Sequence, residues 1–218
     1  MLGQKCNVVA VAKSKDPLQK LEKEYPEQVK SLVGDLADFS LGKKAVDLAK
    51  STWDRLDGLI INHGVLNPVK RIADANAEDW RECFDINVFS AVAIIKEALP
   101  SLRHSKGKII LVSSGGAVNA YATWGAYGAS KAVLNHIALT LAAEEPDVTS
   151  ISIRPGVVDT SMQRELREIH NAVMDKKDVE KFSSLKTNGK LLRPEQPGHV
   201  IAKLSLDGPK DLSGQYLQ

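Results

Sequence analysis

Tyr127 and Lys131 stand four residues apart in the stretch YGASK, so a helix would bring their side chains together on one face. A tyrosine phenol has a pKa of about 10 in model peptides, too high for ready proton exchange at neutral pH, and a nearby ammonium group lowers it. The hydroxyl of Ser114, 13 residues earlier, could hold a substrate carbonyl while the phenol protonates the developing alkoxide. These three residues indicate proton transfer coupled to hydride transfer. The spacing alone does not establish it, because a tyrosine and a lysine four apart also occur on ordinary helix surfaces.

Asn87 is a further candidate, and it lies in FDINVFS, inside a predicted helix. Asparagine is a poor helix former unless its amide has a partner. Two interpretations are open for it. The amide either satisfies a buried backbone group or takes part in the reaction.

The elements that must position these residues follow from the alternation of short apolar runs with longer helical patterns. The predicted strands are 7–13, 29–36, 57–64, 107–114, 148–158 and 213–218, and the main predicted helices are 16–25, 40–53, 76–102 and 126–143. Pro17 falls near the first turn of the first helix, and Asn76 with Asp79 forms a capping pair for the long one. Because the strands are continuously apolar, they predict an α/β fold, a doubly wound parallel sheet with helices on both faces.

Polar residues and glycines gather where the predicted strands end, which is where such sheets bind ligands. They are Asp35, Asn62, Gly64, Ser113, Ser114, Pro155 and Gly156. Ser113 is interpreted as structural. Four strand ends of this kind argue for a site more strongly than any one of them does.

Composition limits the class of protein. The 218 residues suffice for a single domain, 1–218, and 43% of them are hydrophobic. A formal charge of +2 gives no reason to expect nucleic acid or an anionic membrane as partner, and no apolar run reaches the roughly 18 residues of a membrane span. Two cysteines fit a reduced, cytoplasmic compartment, and the five histidines lack metal-ligand spacing, so no metal is expected.

The segment of about 160–195 is charged and less regular, and we expect it, with Met162, to form a substrate lid. Trp124, just before the tyrosine helix, either lines the substrate pocket or packs in the core.

Six pieces of the chain, spread from residue 34 to 160, resemble the short-chain dehydrogenase/reductase family in order and spacing. They are GDL, LIINHG, FDINVFS, ILVSS, YGASK and RPGVVDT. The residues around YGASK are most similar to the branch that includes sepiapterin reductase and fungal benzil reductases. The resemblance implies a Rossmann-like sheet and a reductase of a small ketone or diketone, assembled as a homodimer or homotetramer.

The same resemblance implies roles for the four candidate residues. Tyr127 would be the general acid/base, and Lys131 would bind the nicotinamide ribose and lower the pKa of the tyrosine. Ser114 would orient the carbonyl, and Asn87 would hold a water of a proton relay.

The cofactor contacts are likewise implied by the resemblance. Asp35 would reach the adenine ring, Asn62 and Gly64 would line the adenine-ribose side, and the segment after strand five would face the nicotinamide carboxamide. That segment comprises Pro155, Gly156, Val158 and Thr160. His63 departs from the family's usual alanine and places a larger polar ring beside this channel.

The end of the first strand, VAKSK, bears on the choice between NADP and NAD. It has no carboxylate until Asp16, and a lysine at that end favours a 2′-phosphate, so we expect NADPH. Lys13 is the candidate phosphate ligand, and its alternative is a solvated strand end. Asp35 has an alternative too, as the cap of the turn that follows it.

Chains of this family open with a strand, a TGxxxGxG turn and a helix, whereas this one begins MLGQ. We expect this first βα unit of about 30 residues to be lacking. The strands at 7–13 and 57–64 would then each keep an unpaired edge. An alternative function follows, that of a non-catalytic family member unable to bind dinucleotide, acting as an interaction subunit or an unstable remnant.

Overall fold

The computed structural model describes residues 1–218 and contains six strands and eight α-helices. The strands are β1 (Val8–Ala12), β2 (Val29–Val33), β3 (Gly58–Ile61), β4 (Lys108–Val112), β5 (Thr149–Ile153) and β6 (Tyr216–Leu217). The helices are α1 (Lys15–Glu24), α2 (Ser40–Trp53), α3 (Ala77–Phe84), α4 (Ser90–Ser105), α5 (Gly125–Glu144), α6 (Ser161–Glu168), α7 (Lys176–Thr187) and α8 (Glu195–Asp207). All six predicted strands are present. The fifth ends at Ile153, earlier than predicted, because Pro155 lacks a donor and Gly156 has a φ of +80°.

All neighbouring strands run parallel, which confirms the predicted α/β parallel sheet. The strands form two separate hydrogen-bonded ladders, β1-β2 and β3-β4-β5-β6. No strand lies between β1 and β3 to join the two ladders. The expected unpaired edges are therefore present. The residues of β1 are all only half-buried, whereas every residue of β5 is buried.

Helices cover both faces of the larger part of the sheet. On one face α4 and α5 pack against β3 and β4 around a large apolar cluster that includes Ile61, Leu102 and Leu134. On the other face the residues of α8 and of the chain end pack against Ile110, Val112, Ile151 and Ile153. This arrangement leaves the carboxyl ends of β3, β4 and β5 side by side.

The helix α2 links the two parts of the sheet, since it contacts both β1 and α4. Gly42 of α2 is buried, and a Cβ at this position would lie 2.9 Å from the Cα and Cβ of Ile94. The absence of a side chain at residue 42 is what lets the two helices approach this closely.

The single helix predicted over 76–102 is interrupted. Asn76 caps α3, with its side chain accepting from the Asp79 amide at 2.7 Å, as predicted. A π-helical turn, Asp85–Phe89, then separates α3 from α4. The turn places Asn87 where its amide bonds to the neighbouring loop, a contact that a regular helix pattern does not anticipate.

The segment 160–195 contains two helices, so the expectation of a less regular segment is wrong. It contains α6 and α7, which bury Leu166 and Phe182 respectively. A few well-spaced apolar residues are enough to seat both helices against the body of the protein. No helix in the structure has the length and apolar character that crossing a bilayer would require.

Replacing Gly42 by alanine should destabilise the protein by about 1–3 kcal/mol relative to a matched alanine substitution elsewhere, because the added Cβ meets the backbone of α4. Gly198 in α8 is the matched position, since a Cβ there would meet nothing within 4 Å. Urea unfolding followed by circular dichroism compares the two variants. Equal unfolding free energies for Gly42→Ala and Gly198→Ala would contradict the close helix approach.

Candidate active site

A cleft of about 650 Å³ opens at the carboxyl ends of β3, β4 and β5. Most of the predicted site residues line it, namely Asn62, Gly64, Ser114, Tyr127, Lys131, Pro155, Gly156, Val158 and Thr160. Asn87, Lys13 and Asp35 do not. The sheet thus brings the predicted catalytic hydroxyl, phenol and ammonium together, with Asn62 and Gly64 beside them, while Lys13 and Asp35 lie apart.

Ser114 and Tyr127 meet at the end of β4. The Ser114 carbonyl accepts a hydrogen bond from the Tyr216 hydroxyl at 2.9 Å, and its own hydroxyl accepts from the Gly116 amide at 3.1 Å. Tyr127 is 7% exposed. Burial raises the pKa of its phenol, and the hydrogen-bonding Ser114 hydroxyl acts in the opposite direction with smaller effect.

Lys131 is buried in α5, one turn beyond the tyrosine, and its Nζ donates to two backbone carbonyls. These are Val112 at 2.9 Å and His63 at 3.3 Å. Burial lowers the pKa of the ammonium from 10.5 to about 8. Two of its three N–H donors are occupied, which leaves the third for a ligand in the cleft.

The expected lowering of the Tyr127 pKa by Lys131 is not found. The phenol pKa is raised instead, and the main cause is burial. The charge on the lysine can be read from the sequence, whereas the loss of water around both groups depends on their packing. The lysine, moreover, is directed at the two carbonyls that accept its hydrogen bonds.

Asn87 is fully buried in the π-helical turn and is occupied by the segment after β3. Its Oδ1 accepts from the Val65 amide at 2.8 Å, and its Nδ2 donates to the Val65 carbonyl at 2.9 Å and to the Ser130 hydroxyl at 3.0 Å. The first of the two interpretations, an amide satisfying buried backbone groups, describes this geometry. A part in a proton relay stays a prediction.

At the far end of the sheet Lys13 and Asp35 form an ion pair, with 2.8 Å between Nζ and Oδ2. The hydrogen bond from Lys13 lowers the pKa of the carboxyl, and the Ala37 amide lowers it further. Asp35 therefore does cap the turn after β2, as its alternative interpretation held. The Lys13 side chain is 81% exposed, so it is free to turn toward a ligand.

An aromatic wall, defined here as Tyr121, Trp124 and Phe182, borders the cleft beside Tyr127. Trp124 stacks on Phe182 with 5.3 Å between ring centroids and meets the edge of Tyr127 at 5.9 Å. Trp124 is both buried and cleft-lining, so the two interpretations given for it hold together. Met162 of α6 also lines the cleft.

Several residues that line the cleft were not predicted as site residues. Phe182, Leu166, Tyr121 and Arg154 all line it. Only Arg154 carried a usable signal, since it directly follows β5 at the ligand-binding edge. Phe182 and Leu166 belong to the segment expected to form a lid, but that these two side chains reach the cleft depends on how α6 and α7 pack.

Known proteins resemble the chain over most of its length. Residues 1–171 match the family model described as short chain dehydrogenase. An uncharacterized oxidoreductase of Schizosaccharomyces pombe is 40% identical over 100% of this chain and 88% of its own. A benzil reductase ((S)-benzoin forming) of Saccharomyces cerevisiae is 41% identical over 98% of this chain and 85% of its own. The crystal structure of a short-chain dehydrogenase/reductase from the same yeast superposes with a TM-score of 0.95 at 40% identity, covering 97% of this chain and 84% of its own.

Replacing Lys131 by methionine should stabilise the protein near pH 7, by up to about 3 kcal/mol, because the pKa depression from 10.5 to about 8 measures the cost of burying the charge. Below pH 8 the folded and unfolded chains both hold the proton, and the full cost is present. Between pH 8 and 10.5 only the unfolded chain holds it, so wild-type stability rises with pH and the advantage of the variant shrinks. Urea unfolding at pH 7 and pH 10 measures this, with Lys50→Met on the exposed side of α2 as control. A difference in unfolding free energy between Lys131→Met and the wild type that did not change with pH would contradict the lowered pKa of Lys131.

Proposed function

This chain belongs to the short-chain dehydrogenase family, and on that basis we propose that it reduces a ketone or diketone carbonyl to an alcohol, with NADPH as hydride donor and Tyr127 as proton donor. Members of the family are oxidoreductases that use nicotinamide dinucleotides. The observation that carries the proposal is the buried Tyr127 phenol beside the Ser114 hydroxyl, one helical turn from the Lys131 ammonium.

The raised pKa of Tyr127 keeps the phenol protonated at neutral pH, which is the state that reduction requires of its proton donor. At neutral pH the phenol holds its proton, and it can donate that proton to an oxygen that becomes an alkoxide. Ser114 would orient the carbonyl oxygen toward the phenol, and the third N–H of Lys131 would hold a ribose hydroxyl. A reduced nicotinamide, when bound, supplies the hydride.

The cleft residues fit the nicotinamide end of such a cofactor. Gly64, which the family resemblance assigns to the adenine-ribose side, lies instead beside Lys131: a Cβ there would lie 3.0 Å from Lys131 Nζ and would occupy the space that a sugar hydroxyl needs to reach the ammonium. At the other end, the exposed Lys13 supports NADPH over NADH, because its charge would meet a 2′-phosphate once it leaves Asp35.

The aromatic wall supports a substrate with flat apolar groups. Aryl rings would stack on Trp124 and its neighbours, while the carbonyl points toward Ser114 and Tyr127. The relative named for benzil reduction, 41% identical, supports a diketone. The helices α6 and α7 would act as the substrate lid of a single domain spanning 1–218.

We further propose a homodimer or homotetramer in the cytoplasm, without nucleic acid, membrane or metal partners. The two cysteines, Cys6 and Cys83, are both free thiols, which supports a reducing compartment. Phe89 and Val92, in the turn before α4 and in α4 itself, are each nearly half exposed and supply apolar area for contact between copies.

One observation favours a second function, that of a non-catalytic family member. Strands β1 and β3 share no ladder, so a dinucleotide held both at the Lys13 end and at the catalytic end would have to span the gap between the two parts of the sheet. Titration of NADPH fluorescence with the 218-residue chain separates the two functions. Saturable binding supports the reductase, and no change at millimolar cofactor supports the non-catalytic member.

Replacing Tyr127 by phenylalanine should lower kcat for NADPH-dependent reduction of benzil by about 10²–10⁴-fold, the usual contribution of a positioned general acid. The dissociation constant for NADPH should stay nearly unchanged. Tyr25→Phe, at the end of α1 and far from the cleft, is the control. Full turnover in Tyr127→Phe would refute the assignment.

Replacing Lys13 by methionine should raise KM for NADPH by about 10-fold and leave KM for NADH unchanged, because one charge-assisted contact to phosphate is lost. Lys20→Met, another exposed lysine of the same region, should alter neither value. Initial rates with both cofactors provide the test. An equal effect of Lys13→Met on the two cofactors would exclude Lys13 as the phosphate ligand.

A further inference from the structure

His63 lies two residues beyond the end of β3, and its imidazole forms a hydrogen bond to α4. The ring Nε2 lies 2.7 Å from the hydroxyl oxygen of Ser90. That hydroxyl donates a hydrogen bond to the Ile86 carbonyl at 2.5 Å. A hydroxyl has one proton, so Ser90 gives it to Ile86 and accepts from the imidazole. His63 is thereby fixed as the tautomer protonated on Nε2. Ser90 is 3% exposed, so this contact is shielded from water.

The segment 63–65 is hydrogen-bonded at three points, to α4, to α5 and to the π-helical turn. The His63 ring bonds to Ser90, the His63 carbonyl accepts from Lys131 Nζ at 3.3 Å, and the Val65 peptide bonds to Asn87 through both its amide and its carbonyl. The ring is the only one of these anchors that a side chain of the segment provides. It belongs to the same residue whose carbonyl holds the ammonium.

This carbonyl matters because Lys131 has no carboxylate partner. The eight ion pairs of the structure do not include it, and its charge is met only by the carbonyls of Val112 and His63. Val112 is fixed by the β4 ladder, whereas His63 lies beyond the end of β3. The less constrained of the two acceptors is therefore the one that the imidazole anchors.

The imidazole stays neutral in this position. Burial lowers its pKa to about 4, and the neighbouring Lys131 ammonium acts in the same direction. Cys83 of α3 is the other titratable group that acts on that ammonium, and it raises the lysine pKa. A neutral ring anchors the segment without adding a second charge beside Lys131.

We propose that His63 is a positioning residue, whose imidazole, bonded to Ser90, fixes the carbonyl that directs Lys131 Nζ into the cleft. The consequence for catalysis rests on the proposed function, in which Lys131 holds the cofactor ribose. Without this anchor the His63 carbonyl would be mobile and would no longer hold the ammonium in one direction. The ribose would then bind less tightly. An alanine, which the family usually has at this position, offers no such anchor.

The kinetic test is a double-mutant cycle of His63→Ala and Ser90→Ala. Each single variant should raise KM for NADPH about threefold to tenfold with a smaller change in kcat, and the double variant should be no worse than the worse single one, because both remove the same contact. His63→Gln, whose amide NH₂ stands as many bonds from Cα as Nε2, should restore most of the loss. Additive effects, or unchanged kinetics in His63→Ala, would overturn the proposal, as would a lowered melting temperature with normal kinetics.

A second readout does not depend on turnover. In protein labelled with ¹³C at lysine Cε, the Lys131 resonance, identified by its loss in Lys131→Met, should titrate near pH 8 in the wild type. It should titrate lower in His63→Ala, because the charged form loses an acceptor, and return in His63→Gln. An unchanged titration in His63→Ala would overturn the proposal. If the wild type bound no NADPH, the proposed reductase function would be refuted. The titration of Lys131 would still decide the role of His63.

Discussion

The burial of one ammonium group constrains the whole site. Lys131 is 4% exposed, and the free energy of moving its charge out of water has to be offset by oxygen atoms within hydrogen-bond reach. Those atoms are backbone carbonyls, one at the end of β4 and one just beyond the end of β3. The strands must therefore end where they do, and α5 must cross them at that level. Gly64 is required at the same point, since a side chain there would contact the lysine.

The exclusion of water shifts the pKa of the tyrosine in the opposite direction from that of the lysine. Burial raises the pKa of the phenol and lowers that of the ammonium, so each group is biased toward its uncharged form. Desolvation of both groups therefore accounts for both pKa shifts. Direct attraction between phenolate and ammonium is not what sets these two values. Any polar ligand entering the cleft would bring dipoles that favour the charged forms again.

The sequence predicted the parallel sheet and the central residues because both depend on short-range rules. Apolar runs mark strands, parallel strands place their carboxyl ends at one edge, and Ser114, Tyr127 and Lys131 lie at or beside that edge. The predicted cap at Asn76 is equally local, and it is present.

What the sequence could not indicate arises from long-range packing. His63 and Ser90 are 27 residues apart, and nothing in either stretch marks the bond between them. Phe182 reaches Trp124 only because α7 folds back over the cleft. The acceptors of Lys131 are carbonyls, which every residue possesses, so residue types give no sign of them. The direction of the tyrosine pKa shift depends on burial, which only the packed structure defines.

The divided sheet has a consequence for how the molecule comes apart. Strands β1 and β2, with α1, are joined to the remainder largely through α2, and without a shared ladder they can open as a cooperative unit of their own. Lys13 and Asp35 both belong to that unit. A nucleotide held at once by these two residues and by the catalytic cleft would link its own binding to the ordering of the smaller part. Ligand concentration would then regulate how much of the chain is folded, in addition to how many sites are filled.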